Sequence, residues 1–147
     1  MKAVVHRVSS ASVDVNDQCI GRIERGVLVL LGVARGDSLD DARWMAKKIV
    51  SLRIFDDEEK KMNYSLQEVR GALLAVSQFT LFADTNKGRR PSFVSAAPPE
   101  AASIVYSCFL ETVEALGVTT ARGEFQAHMQ VCLVNDGPVT ILLDTKK

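Results

Sequence analysis

The chain of 147 residues is poor in the side chains on which most catalytic and metal sites depend. It has two histidines and three cysteines, and the cysteines are widely spaced, without a C-x-x-C pair. This spacing predicts neither a disulfide framework nor a zinc knuckle. We therefore expect Cys19, Cys108 and Cys132 to be small buried apolar residues, and we predict no metal and no cofactor.

An excess of charge and a long apolar run are also missing. Eighteen basic and eighteen acidic side chains cancel, so a nucleic-acid partner would have to be held by a local patch. No run of about 18 apolar residues is present to span a bilayer. The first residues alternate like a strand and lack the pattern of a signal peptide. These features predict a cytoplasmic protein.

The composition is that of one ordinary folded domain. Hydrophobic residues make up 47% of the chain and charged residues 24%, which is typical of soluble globular domains. No internal repeat, low-complexity stretch or linker divides the sequence. We therefore predict a single domain over residues 1–147.

Most of the predicted elements are strands, recognised by alternation or by short apolar runs between turn residues. Residues 26–33 are continuously apolar and bounded by glycine, as expected of a central strand covered on both faces. The predicted strands are residues 2–8, 12–15, 19–23, 26–33, 72–82, 127–134 and 139–143, with turns at 16–17 and 136–138.

Two helices complete the prediction. Asp37 or Ser38 can cap the first, which carries one apolar stripe. Pro98 and Pro99 open the second, and Gly117 ends it. Together the elements predict an α+β fold: a β-rich single domain of mostly antiparallel strands curled into a barrel-like sheet, with two main helices.

Polar residues at the end of an apolar strand are the first candidates for chemistry. Ser77 and Thr80 offer hydroxyl groups, but no G-x-S-x-G motif or evident His-carboxylate partner accompanies them. From composition alone a half-polar strand is the favoured interpretation. A strand end that leads into a loop is nevertheless a common place for a pocket.

A short basic segment follows. Lys87, Arg89 and Arg90 place three cations within four residues, with Gly88 among them, and such a loop suits phosphate or the end of a nucleotide. A solvated surface loop explains these residues equally well.

His128 and Cys132 are four residues apart in a predicted strand and so share a face, which permits a Cys-His pair or two metal ligands. Packing in the core or at an interface is the favoured interpretation. Gly137 and Pro138 lie between two apolar strands, where a simple turn explains them, and base rates favour a trans bond.

Two segments together give the chain a resemblance. Residues 77–81 read SQFTL and residues 135–140 read NDGPVT. At this spacing, in a chain of this length, they resemble the active-site segments of the D-aminoacyl-tRNA deacylases. The likeness extends to residues 1–8, MKAVVHRV, and to residues 87–93, KGRRPSF, and so covers essentially the whole chain.

The resemblance implies a homodimer with its active sites at the subunit interface. It implies that Gly137-Pro138 has a cis bond and enters the partner's active site to select chirality, and that Arg7 holds this segment in orientation. It implies also that Ser77, Gln78, Phe79 and Thr80 line the catalytic pocket. Lys87, Arg89 and Arg90 then become candidates for binding tRNA.

The implied function is proofreading. The enzyme would hydrolyse D-aminoacyl-tRNA, and by the same logic glycyl-tRNA, because a rigid backbone rejects L side chains and glycine has none to reject. Backbone N–H groups near Phe79 and Thr80 could stabilise the oxyanion. The lack of a base fits catalysis assisted by the ribose 2′-hydroxyl of the tRNA, with no protein nucleophile.

Two other classes stay open. A non-catalytic RNA-binding module would fit the basic loop and the lack of a triad, although only nine aromatic residues are scattered along the chain and no stacking platform is evident. A small acyl hydrolase that uses Cys or Ser with His128 is the other.

Overall fold

A computed structural model gives the structure of residues 1–146. It has eight strands, two α-helices and one short 3₁₀ helix among these residues. In chain order they are β1 (Lys2–Val15), β2 (Gln18–Ile23), β3 (Gly26–Gly32), α1 (Leu39–Ser51), β4 (Phe55–Asp56), β5 (Met62–Tyr64), β6 (Ala72–Ser77), the 3₁₀ helix (Phe79–Phe82), α2 (Pro99–Ala115), β7 (Thr120–Arg122) and β8 (Gln130–Asp144).

Six strands form one strongly curled sheet in the order β2-β1-β3-β6-β7, and β8 pairs with β1. The strand β1 is antiparallel to β2, β3 and β8, whereas β3-β6 and β6-β7 are parallel pairs. The sheet is nearly closed, because a Cβ added to Gly21 of β2 would lie 2.9 Å from the carbonyl oxygen of Arg122 in β7. The predicted α+β, barrel-like fold is confirmed; the two parallel pairs were not predicted.

The apolar strand β3 is central, as predicted. Val27, Val29 and Leu31 are buried in the large core that includes residues of both helices. Leu28 belongs to a second buried cluster that it shares with Val13 of β1 and other strand residues, on the inner side of the curled sheet. A strand covered on both faces has no solvent side, which explains its unbroken apolar sequence.

The helix boundaries follow from local chemistry. Ser38 caps α1: its hydroxyl accepts from the Asp41 N–H, and the Asp41 carboxylate accepts from the Ser38 N–H at 2.8 Å. The hydrogen bonds that the Asp41 carboxylate accepts from the Ser38 N–H and from the Ser38 hydroxyl lower the pKa of Asp41. Pro99 begins α2, and Gly117, with φ +83°, follows its end. Both predicted helices are therefore confirmed.

Several details of the sequence prediction are wrong. The two strands predicted over residues 2–8 and 12–15 are one strand, Lys2–Val15. The strand predicted to run to residue 82 ends at Ser77, and a 3₁₀ helix follows. Residues 130–144 form one strand paired with β1, where two strands joined by a turn were predicted. Cys19 and Cys132 are exposed and Cys108 is only half-buried, because Cys19 and Cys132 lie on strand faces that the core does not cover. No helix in residues 1–146 is long and apolar enough to cross a membrane.

Candidate active site

The chain turns sharply where β6 ends. Ser77 is the last residue of β6 and pairs with Leu31 of β3, and the Gln78 N–H donates to the Leu31 carbonyl at 2.8 Å. The 3₁₀ helix then begins at Phe79 and packs against Gly32. A Cβ added to Gly32 would come within 3.0 Å of the backbone carbonyl oxygen of Gln78 and of the Phe82 ring. Glycine at position 32 thus permits the close approach of this turn.

This turn forms one wall of a cavity of about 760 Å³. Ser77, Gln78 and Phe79 contribute that wall. The other walls come from two places: the residues before and within the first turn of α2, and the loop before β8. The volume lies within the range of small-molecule sites, about 300–1,000 Å³. The remaining lining residues are Val33, Arg35, Val76, Phe93, Ala96, Ala97, Pro98, Pro99, Ala102, Phe125, Gln126, Ala127, His128, Met129 and Val131.

Thr80 lies at the edge of this arrangement. It is exposed, does not line the cavity, and accepts a hydrogen bond at its hydroxyl from the Gln78 side-chain amide. Within residues 1–146 neither Ser77 nor Thr80 bonds to a histidine or a carboxylate through its hydroxyl. The site therefore holds hydroxyl groups that are not hydrogen-bonded to a general base.

Backbone donors are available at the same place. The N–H groups of Phe79 and Thr80 begin the 3₁₀ helix, where they have no carbonyl of the preceding turn to bond. Neither donates to an acceptor within residues 1–146. Two unpaired N–H groups thus stand next to the Ser77–Phe79 wall.

An aromatic pair lies at the cavity. The rings of Phe79 and Phe93 meet edge to face, with centroids 5.0 Å apart and planes at 74°. Phe79 is 56% exposed, so its ring is open to a ligand. Although the aromatic residues are scattered along the sequence, the loop after the 3₁₀ helix brings Phe93 back to Phe79.

The Gly137-Pro138 segment projects from strand β8. Asn135 pairs with Val8 and Thr140 with His6 of β1, so four residues of β8 stand opposite one residue of β1. The Gly137-Pro138 peptide bond is cis, which the base rate had disfavoured. Both residues are exposed, and neither lines the cavity of its own chain within residues 1–146.

Arg7 lies beneath this projection, and only 6% of its surface is exposed. Its Nε donates to the carbonyl oxygen of Asp136 at 2.9 Å, and Nη1 donates to the Ile54 carbonyl at 2.8 Å and to the Asp56 carboxylate at 3.2 Å. A Cβ on Gly137, whose φ is +138°, would lie 3.1 Å from Nη2. Arg7 therefore ties the segment to the body of the protein.

Asn135 and His6 hold the other side of the segment, and sequence reasoning assigned neither a role. The Asn135 side-chain oxygen accepts from the Val139 N–H at 3.1 Å, which spans the projection. His6 Nδ1 lies 3.0 Å from the Thr140 hydroxyl. Burial lowers the pKa of His6. The available signal was the polar character of both residues within apolar strands.

The basic loop leads directly into the cavity wall. Asp84 and Ser92 close it through a pair of backbone hydrogen bonds of 2.8 and 2.9 Å, and Phe93 follows at once. Lys87, Arg89 and Arg90 are exposed and form no ion pair within residues 1–146. The loop thus carries three unneutralised cations beside the cavity.

Residues 4–144 match the sequence family described as D-Tyr-tRNA(Tyr) deacylase. The chain belongs to the D-Tyr-tRNA(Tyr) deacylase family. A D-aminoacyl-tRNA deacylase from Pelobacter propionicus is 59% identical over 144 residues, covering 98% of this chain and 99% of its own. The prediction that the chain is an enzyme, a hydrolase of the D-aminoacyl-tRNA deacylase class, is confirmed by this membership.

Solved structures agree on the fold. One described as "c-Myc DNA Unwinding Element Binding Protein" is 42% identical, with a TM-score of 0.93 and full coverage of both chains. Another, a "probable eukaryotic D-amino acid tRNA deacylase", is 20% identical, with a TM-score of 0.81 and 97% coverage of each chain. The second likeness speaks for the fold alone.

For this member of the deacylase family, the cavity also includes residues that sequence reasoning did not place there. His128, expected to be packed, is exposed and lines the cavity, whereas Cys132 does not line it. His128 precedes β8, so the shared strand face predicted for the two is wrong. No three His, Cys, Asp or Glu side chains in residues 1–146 gather as metal ligands.

Proposed function

We propose that this deacylase hydrolyses the ester of D-aminoacyl-tRNA and releases free D-amino acid and tRNA. The observation that carries the proposal is the cavity walled by Ser77, Gln78 and Phe79, beside two unpaired backbone N–H groups. The exposed Phe79 ring, packed against Phe93, offers a surface for the terminal adenine. Ser77 and Gln78 offer polar contacts for the ribose and the aminoacyl group.

The working unit is a homodimer in which Gly137-Pro138 of one subunit enters the cavity of the other. Support comes from the placement of the segment, which projects from β8 and does not reach the cavity of its own chain. Within residues 1–146, β8 has β1 as its one partner, and it exposes Val134 at 57% and Leu142 at 73%. Such a long apolar edge is normally covered in a native protein.

Chirality is selected by exclusion. A D-amino acid and its L-enantiomer carry the same groups, so a site with few side-chain contacts distinguishes them by where bulk is forbidden. The backbone carbonyls of Gly137 and Pro138, held by Arg7 and Asn135, would occupy the place of an L side chain. Glycine escapes this exclusion, so glycyl-tRNA is a second substrate.

The chemistry needs no protein nucleophile. Water attacks the ester carbonyl with help from the ribose 2′-hydroxyl of the tRNA, and the N–H groups of Phe79 and Thr80 stabilise the oxyanion. The bond between the carbonyl carbon and the ribose 3′-oxygen breaks, and the proton lost by water ends on that oxygen. The lack of a base hydrogen-bonded to Ser77 or Thr80 supports this route.

The exposed cations Lys87, Arg89 and Arg90 bind the phosphates of the tRNA near its acceptor end, because their loop runs directly into the cavity wall at Phe93. We place the enzyme in the cytoplasm, where aminoacyl-tRNA is made and used.

The alternative is a non-catalytic RNA-binding module, which the basic loop alone would also support. One assay separates the two: tRNA charged with radioactive D- or L-tyrosine is incubated with the protein, and the remaining ester is counted. The proposal expects loss of the D-ester and retention of the L-ester. A protein that binds both charged tRNAs and hydrolyses neither would be the binding module. A hydrolase dependent on His128 would lose all activity in a His128→Asn variant, whereas the proposed enzyme, in which His128 lines the cavity but takes no part in the chemistry, would still hydrolyse the ester.

A further inference from the structure

The loop between β3 and α1 brings a cation to the cavity. Arg35 lines it, and its Nε donates to the carbonyl oxygen of Val94 at 2.8 Å. Its backbone N–H donates to the Ser95 carbonyl at 3.0 Å. The two terminal nitrogens of the guanidinium make no hydrogen bond or ion pair within residues 1–146. The planar group is thus held at one end and free at the other.

Charge in the cavity wall is one-sided. The residues that line the cavity, all between positions 33 and 131, include no aspartate, glutamate or lysine. Among these lining residues Arg35 carries the one permanent charge. The nearest acidic residue in sequence, Asp37, is already engaged: it accepts from the Ala34 N–H at 2.6 Å and lies 3.1 Å from the Lys146 ammonium. The positive charge of Arg35 is therefore unneutralised and favours an anionic group of the ligand.

The anchor of Arg35 lies next to the aromatic pair in the chain. Val94, which anchors the guanidinium, directly follows Phe93, whose ring packs against Phe79. Arg35, Phe79 and Phe93 line the same cavity, so a nucleotide whose base lies on the Phe79 ring shares that cavity with the free guanidinium nitrogens. Planar guanidinium groups bind phosphate oxygens in pairs of parallel hydrogen bonds.

We propose that Arg35 binds the phosphate on the 5′ side of the terminal adenosine of the substrate. This inference rests on the proposed function and adds an anion subsite to it. The other groups near the ester cannot take this role: the α-amino group is cationic and would be repelled, and the ester and ribose are neutral. Arg35 would thereby fix the depth to which the terminal nucleotide enters the cavity.

Binding of two small probes tests the subsite without any hydrolysis. Calorimetric titration with 5′-AMP and with adenosine should show about tenfold tighter binding of 5′-AMP by the unaltered protein, as expected of one charged hydrogen-bonded contact. Arg35→Ala should bind adenosine as before and lose the preference for 5′-AMP. Arg35→Lys should keep part of it, because the charge remains but the anchored planar group is lost. Arg43→Ala, on α1 outside the cavity, should behave like the unaltered protein.

Two results would overturn the inference: equal affinity of the unaltered protein for both probes, or a full 5′-AMP preference in Arg35→Ala.

Deacylation adds an independent readout. Arg35→Ala should raise KM for D-tyrosyl-tRNA about tenfold and change kcat less than about twofold, since the contact is made equally in the ground and transition states. An unaltered protein that prefers 5′-AMP but never hydrolyses the ester would refute the proposed function and leave the Arg35 subsite standing.

Discussion

Arg7 donates a hydrogen bond of 2.9 Å from its Nε to the carbonyl oxygen of Asp136. A buried cation of β1 therefore fixes the residue immediately before Gly137, and the same guanidinium is fixed in turn by Ile54 and Asp56. The projecting segment thus has a rigid support inside its own subunit.

Replacing Arg7 tests this support. Arg7→Lys keeps the charge but cannot make the bonds to Asp136, Ile54 and Asp56 together. We expect the free energy of unfolding to fall by about 1–3 kcal/mol and kcat/KM for D-tyrosyl-tRNA to fall roughly 100-fold, the cost of misplacing a positioning group by about 1 Å. Urea unfolding and initial rates measure the two effects. Arg43→Ala, which removes an exposed ion pair with Asp40, is the control and should change stability by less than about 1 kcal/mol. Undiminished activity in folded Arg7→Lys would contradict the role of Arg7.

Thr80→Ala tests whether a protein hydroxyl attacks the ester. Alanine keeps the backbone N–H that we assign to the oxyanion and removes the hydroxyl, which accepts a hydrogen bond from the Gln78 side chain and does not itself line the cavity. Deacylation of D-tyrosyl-tRNA should therefore stay within about tenfold of the unaltered enzyme, whereas loss of a nucleophile acting as part of a unit costs about 10⁶-fold. Circular dichroism and a tRNA-binding assay provide the controls. Abolished hydrolysis in a folded variant that still binds tRNA would refute the mechanism assisted by the tRNA.

His6 gives the stability a pH dependence of defined sign. Burial lowers its pKa below the ordinary value of 6.5, so below that pH the unfolded chain binds a proton that the folded chain resists. The contribution of His6 to stability is therefore present above pH 6.5 and is lost as the pH falls through the window between the unfolded and the lower folded pKa. In urea unfolding at several pH values, the stability difference between the unaltered protein and His6→Gln should narrow from pH 7.5 to pH 5.5. A stability difference that stays constant, or that widens toward acid pH, would show that the folded protein does not disfavour protonation of His6.

The basic loop should determine the affinity for tRNA and leave the preference for D- over L-esters unchanged. Replacing Lys87, Arg89 and Arg90 together by alanine should raise KM for D-tyrosyl-tRNA and reduce the slope of log affinity against log salt by about 2–3, because each phosphate contact contributes roughly one unit or slightly less. The ratio of rates on D- and L-esters should not change. A matched triple substitution of Arg43, Lys47 and Lys48 on α1 removes the same charge away from the cavity and should leave the slope unaltered. Equal effects of the two triple variants would mean that only net charge matters.

The sequence predicted those parts of the fold that local chemistry determines. The strand over residues 26–33 was evident because a strand covered on both faces must be apolar throughout. The helix ends were marked by a capping residue at Asp37 or Ser38 and by Gly117, because glycine tolerates a positive φ. The 3₁₀ helix was missed because Phe79, Leu81 and Phe82 extend the apolar run of β6, and a short apolar run does not distinguish strand from helix.

The site was predictable only in part for a related reason. The SQFTL and NDGPVT segments were found as motifs, yet nothing local indicates that Phe93 returns to Phe79 or that Arg35 reaches the same cavity. These placements depend on contacts between distant parts of the chain. The continuity of β8 was likewise hidden, because Gly137-Pro138 has the composition of a turn, whereas pairing with β1 on both sides makes it a projection from one strand.

The central claim is that the enzyme hydrolyses the ester of a D-amino acid and spares that of its L-enantiomer. The most direct measurement is the initial rate of ester loss from one tRNA charged in parallel with D-tyrosine, L-tyrosine or glycine, at enzyme concentrations well below that of the substrate. We expect repeated turnover on the D-tyrosyl and glycyl esters, and a rate on the L-ester lower by roughly 100-fold or more, because steric exclusion by fixed backbone atoms acts in the transition state. Equal rates on the D- and L-esters, or no turnover of the D-ester, would contradict it.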